Sequence, residues 1–140
     1  MASSQDAEAL KDELATLAER VAQEGFGIRL DYSVDSVHHI DEILGALHKE
    51  FRRTKDDDGL NGVALEFAAY LVKVIEKNVA RGRWNRDHPL FGPDTFPYEW
   101  QGGELFPYSW CQKRIFDGPG DDVWAKFHTL VLSKRDEHRT

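Results

Sequence analysis

The chain carries a single cysteine, Cys111, and so has no internal disulfide to staple it. It has no proline before Pro89, and its most apolar stretch, residues 63–79, is interrupted by Glu66 and Lys73 well short of the roughly 20 residues a membrane span requires. No membrane partner is expected. Residues 1–9 are polar and small, without the Arg/Lys-led apolar segment of a secretory signal, so the expected compartment is the cytoplasm. Cations are in deficit: 18 Lys and Arg against 25 Asp and Glu leave a net charge of −7. The local cluster of Arg52, Arg53 and Lys55 is followed by Asp56, Asp57 and Asp58, and that of Lys77, Arg81, Arg83 and Arg86 by Asp87. Neither is the unbroken basic stripe that displaces counterions from nucleic acid, so no nucleic-acid partner is expected. The acidic excess suits solubility or a basic protein partner.

With 140 residues, 41% hydrophobic and 31% charged, the chain is sized for one domain with a core of its own, loose only at residues 1–4 and 134–140. Leu10, Leu14, Leu17 and Val21 repeat at helical spacing over residues 5–24, and Gly25 and Gly27 end that run. The stripe is narrow, which suits a helix docked at the edge of the fold or paired with a second copy. Phe26, Ile28 and Leu30 alternate, as a short strand or extended link would. A second helix follows a start signal at Ser33 or Asp35, its core stripe formed by Val37, Ile40, Leu44, Leu47 and Phe51 with Ile43 beside it. The polar run over residues 52–59 reads as an exposed loop, and Asp58 or Asn61 can cap a third helix. Between residues 63 and 79 the charged positions Glu66, Lys73, Glu76 and Lys77 leave one polar stripe on an otherwise apolar cylinder, which must be covered on most sides.

Eleven of the sixteen aromatic residues lie between Trp84 and Phe127, and all five prolines lie in that half. Phe96, Tyr98 and Trp100 alternate before Gly102 and Gly103, which predicts a hairpin with residues 104–116 as the returning strand, Trp100 opposite Leu105 and Tyr98 opposite Pro107. Asp121 is placed to cap a last helix carrying Val123, Phe127, Leu130 and Val131. The expected class is α+β: three N-terminal helices packed on a small antiparallel sheet with a short C-terminal helix.

Chemistry is sparse. His38, Asp41 and Glu42 share a helix and are the nearest approach to a metal-ligand cluster, but a zinc site needs three or four convergent ligands and the core stripe leaves these on the solvated side. Cys111 sits among aromatic neighbours, away from any helix start, and reads as a buried small hydrophobe. Ser109 lacks an elbow motif, and Glu99, Glu104 and Asp117 have no visible environment that would raise a carboxyl pKa for acid–base work. No catalytic residue is assigned. Binding candidates are the ring and cation types that dominate hot spots: Trp84, Arg86, His88, Trp100, Tyr108 and Trp110. For the segment that opens at Trp84 the simpler role is a connection whose Trp packs over the central helix.

The succession Leu30-Asp31-Tyr32-Ser33, Ile40-Asp41-Glu42-Ile43-Leu44, Ala68-Ala69-Tyr70-Leu71, Gly82-Arg83-Trp84, Phe106-Pro107 and Lys113-Arg114-Ile115 resembles a group of small bacterial domains of unknown function over residues 28–132. That group commonly has Gly and Glu after the Tyr-Leu pair, where this chain has Val72 and Lys73. The resemblance implies an α+β fold and a bacterial cytoplasmic setting and transfers no catalytic residue. The function expected is a non-catalytic protein-binding module, of immunity or adaptor type, engaging a basic protein partner without a cofactor. The competing readings are a small metal-dependent hydrolase built on the His/Asp/Glu cluster and a homodimeric structural protein paired through its first helix.

Overall fold

The computed structural model describes residues 7–134, so the expected looseness of residues 1–4 and 134–140 lies outside the described residues except at Lys134, which is helical. A 3-10 turn, Ala7–Leu10, leads into α1, Lys11–Phe26, which closes on Gly27 in the left-handed conformation (φ 65°) with its amide donating to Gln23 O. The predicted stripe is only partly buried, with Leu14 and Val21 packed against the core, and the alanine face beside it buries completely. Ala15, Ala18 and Ala22 are fully buried where α1 lies against α3 (Leu60–Asn78), whereas Leu10 is 42% exposed. Close approach of two helices favours the smallest side chains, and alanine is too weakly hydrophobic to mark that face in a periodicity.

The link after α1 forms no strand. It has no regular structure, with Leu30 buried, and it is pinned at Tyr32. The Tyr32 amide donates to Tyr70 Oη (2.8 Å), its ring stacks on Tyr70 (4.4 Å between centroids), and its hydroxyl donates to Glu19 (2.8 Å). α2, Ser36–Thr54, buries Val37, Ile40, Ile43 and Leu44 as its spacing predicts. Ser33 Oγ accepts from the Ser36 amide (3.2 Å), while Asp35 makes no side-chain cap. Residues 52–59 are exposed throughout. Neither Asp58 nor Asn61 caps α3, which starts from Gly59 in the left-handed region (φ 77°); Asn61 instead accepts from Gln112.

α3 is the central element. Phe67, Ala68, Ala69, Tyr70, Leu71, Val72, Val74 and Ile75 are all fully buried. Its polar stripe is partly tied to α1, where Lys73 pairs with Asp12 (2.7 Å) and Glu76 with Lys11 (2.7 Å), while Lys77 stays exposed. Glu66 differs: half-buried and without a cation among the described residues, its carboxyl is pushed above the ordinary 4.5 by burial alone. A folded pKa raised in this way penalises the ionised form once pH rises through it. Glu66→Gln is therefore expected to raise stability at pH 7 by on the order of 1 kcal/mol or less. The gain should vanish below pH 4.5, where wild-type Glu66 is protonated in both states, as urea unfolding at the two pH values would show.

The sheet is antiparallel, in the order β1 (Arg83–Trp84), β2 (Tyr98–Trp100), β3 (Gly103–Leu105). Each partner lies two residues nearer the turn than expected, which keeps the same faces together: Tyr98 faces Leu105, Glu99 faces Glu104 and Trp100 faces Gly103. The turn is Gln101-Gly102, both at positive φ (52° and 78°), as a two-residue hairpin turn of this hand requires. The returning strand ends at Leu105, and Pro107–Phe116 is a helix, α4, not the predicted strand. Pro107 stands in its first turn, where a missing N–H is harmless. Trp110, Cys111 and Ile115 then bury at helical spacing against α2 and α3.

Asp122 rather than Asp121 caps α5, Val123–Phe127, accepting from the Ala125 amide (3.1 Å), and a π-helical turn, His128–Leu132, follows. The class is α+β, with two short helices after the sheet where one was expected. Among the described residues no helix is long and apolar enough to cross a membrane.

Candidate functional site

β1 and β2 are joined by a long excursion whose two arms stay paired beyond the strands. Asn85 N donates to Pro97 O, Phe96 N to Arg86 O, and His88 and Gly92 exchange both backbone bonds, each at 2.9 Å. Gly92, Asp94 and Phe96 take positive φ (99°, 56° and 51°), which glycine tolerates and a bulky ring does not unless its surroundings impose it. At the tip, Nδ1 of His88 accepts from the amides of Leu90 (2.9 Å) and Phe91 (3.2 Å). Two amides aimed at Nδ1 require its lone pair, so the ring proton sits on Nε2 and donates to Glu104 Oε1 (2.8 Å). His88 is thus a brace that fixes the tip to β3. Leu90, 84% exposed, and Phe91, 64% exposed, are thus presented on a backbone whose amides are already taken up by His88.

Beside this knob runs a groove of about 720 Å³. Its apolar walls are Phe91, Phe106, Tyr108, Trp110 and Leu130, with Thr95, Ser109 and Gln112 between them. The rings brace one another: Phe91 meets His88 (4.5 Å) and the edge of Phe106 (5.7 Å), and Tyr108 meets Phe96 edge-on (5.3 Å). Tyr108 and Ser109 belong to the first turn of α4, whose amides have no side-chain cap. Three charged residues line the groove, Asp94, Lys113 and Lys126. Asp94 is held by Arg86 (2.6 Å) and Lys126 by Asp121 (3.2 Å); Lys113 is exposed and has no carboxylate partner among the described residues.

Of the six binding candidates, Tyr108 and Trp110 line the groove, His88 braces its knob and Arg86 neutralises its Asp94. Trp84 and Trp100 stand apart from it as core. Trp84 is fully buried with Nε1 donating to Phe96 O (3.2 Å), and Trp100, 4% exposed, donates to Ala80 O (3.2 Å). Leu90, Phe91, Phe106, Lys113, Lys126 and Leu130 were not singled out by the sequence. A local signal existed for the first two, an apolar pair between Pro89 and Gly92 where a turn ordinarily carries polar residues.

The His/Asp/Glu cluster does not converge. The His38 ring stacks on Trp124 (3.8 Å between centroids) and Glu42 is exposed. Asp41 accepts from Arg114 Nε and from the Val123 amide, both at 3.0 Å. Asp41 is a tie between α2, α4 and the start of α5, and burial holds its carboxyl above the usual range despite those donors. Among the described residues no group of three His, Cys, Asp or Glu side chains is placed to hold a metal ion. Cys111 is fully buried beneath the groove's helix, and burial pushes its thiol far from the reactive range. Glu99 and Glu104 do face each other across the hairpin, but Glu99 accepts from Asn85 (3.1 Å) and Glu104 from His88. The groove can hold a ligand; its one imidazole has both nitrogens committed to structure.

No protein-family model, curated protein or solved structure matches the chain.

Proposed function

We propose that the chain is a non-catalytic protein-binding module, of adaptor or immunity type and acting in a bacterial cytoplasm, that holds its partner between the Leu90-Phe91 knob and the aromatic groove. One observation carries this: two large apolar side chains stand in water on a backbone braced by His88, next to a concave apolar wall. Burying a Leu or Phe side chain completely is worth about 1.5–3 kcal/mol, so a knob of two supplies an anchor to which burial along the groove walls must add before the costs of association are met. The net charge of −7 steers the molecule toward partners of net positive charge, while the contact itself is specified locally.

The test compares the wild-type chain with Leu90→Ser/Phe91→Ser as immobilised baits in an extract of the native host. Exposed positions of this kind shift stability by about 0.5 kcal/mol or less, so the two baits should melt alike. The expected outcome is a protein held by the wild type and released by the variant. Equal retention on both baits, or none on either, would refute the proposal.

A further inference from the structure

Resting on that binding reading, we infer that the groove seats a short segment of the protein partner in which an apolar side chain lies next to an acidic one, the ring of walls taking the first and Lys113 the second. The inference comes from charges that cancel and one that does not. In a chain where acids outnumber bases, an apolar groove would be expected to carry a surplus carboxylate. Here Asp94 is matched by Arg86 and Lys126 by Asp121, so the remaining charge on the lining is the Lys113 ammonium. A volume of about 720 Å³ fits a few side chains rather than a broad surface.

A peptide segment meets the geometry better than other anionic amphiphiles. A free fatty acid could fill the groove but would leave Leu90 in water, since Leu90 is not part of the groove wall. An anionic bilayer could take the knob but would be repelled by a chain of charge −7. A partner that continues beyond the docked segment covers knob and groove together, giving an apolar centre with a charged rim.

The experiment measures fluorescence anisotropy of labelled, C-terminally amidated decapeptides in which a central Leu-Phe pair is flanked by Glu, by Gln or by Lys. An ion pair at an exposed rim is modest, so the Glu peptide is expected to bind about two- to fivefold tighter than the Gln peptide, with the Lys peptide weakest. Lys113→Gln should erase the difference between Glu and Gln peptides while leaving the Gln peptide unchanged, and Lys113→Glu should invert the order. The discrimination should also collapse near 1 M salt, where screening acts over about 3 Å, while the apolar contribution persists. Equal binding of the three peptides, preference for the Lys peptide, or no peptide binding up to millimolar concentration overturns the inference. So does oleate, or phosphatidylglycerol vesicles, binding where peptides do not, or sedimentation showing a self-associated chain that Phe91→Ser dissociates. If charge preference is absent but Leu90→Ser/Phe91→Ser still abolishes peptide binding, only the assignment to Lys113 falls and the binding module stands.

Discussion

Trp84→Ala is expected to lower stability by about 3–5 kcal/mol, enough to leave a domain of ordinary stability largely unfolded at moderate urea. Trp84 stands second in the two-residue strand β1, fully buried, and three contacts fix it. Its indole N–H donates to Phe96 O, its ring lies 5.6 Å from that of Phe96, and its backbone amide donates to Glu8 Oε2 (2.7 Å). Truncation removes the largest fully buried side chain and leaves the Phe96 carbonyl without its donor. Phe96 sits at positive φ, so the same loss relaxes the arm that presents the groove. Urea midpoints at unchanged m-value would measure the effect, with Leu90→Ser as the surface control. A shift for Trp84→Ala no larger than the control's would remove Trp84 from the core and restore it as a contact residue.

The separation of Trp84 from the groove shows where sequence patterning was informative. α2 and α3 were legible because Val37, Ile40 and Leu44, and then Phe67, Leu71 and Ile75, are large apolar residues at helical spacing with few competitors. α4 was not, because Phe106, Tyr108 and Trp110 alternate as ring residues and imitate a strand, while its true face of Pro107, Trp110, Cys111 and Ile115 is less conspicuous. Aromatic side chains favour strands, and here that preference yields to burial against α2 and α3. The hairpin was found but its register was not, since three consecutive residues from Gln101 to Gly103 each suit a turn and only the pairing of Tyr98 with Leu105 decides among them. The groove was illegible as a whole. Its walls come from an excursion between strands, from the first half of α4 and from the π-helical turn His128–Leu132, and nothing in the spacing of Phe91, Phe106 and Leu130 announces that they meet.

The second large effect belongs to the buried charges that join the N-terminal turn to α3 and the sheet. Lys11 Nζ donates to Glu8 Oε1 and to Glu76 Oε1, both at 2.7 Å, while Glu76 Oε2 accepts from Tyr98 Oη (3.0 Å). The Lys11 and Glu76 side chains are 8% and 12% exposed. Glu76→Leu withdraws one of two counter-charges from a buried ammonium and strands a buried hydroxyl, so a loss of about 3–5 kcal/mol is expected. Lys11→Met/Glu76→Leu should cost less than Glu76→Leu alone, because the cation leaves with its partner. The pH dependence has a definite sign. Burial on its own lowers the Lys11 pKa, but the hydrogen bonds and charges of Glu76 and Glu8 outweigh it and hold the amine above the ordinary 10.5. A raised pKa means the contribution is complete below 10.5 and fades as pH climbs through the folded value. Tyr98 and Tyr32, also raised, first by burial and then by their Glu76 and Glu19 neighbours, add alkaline slopes of the same sign. The diagnostic is therefore a difference: the stability gap between wild type and Lys11→Met, measured by urea unfolding, should be widest near neutrality and narrow above pH 10.5. A gap that stays constant through that range would mean Lys11 stabilises by packing its stem and not by its charge.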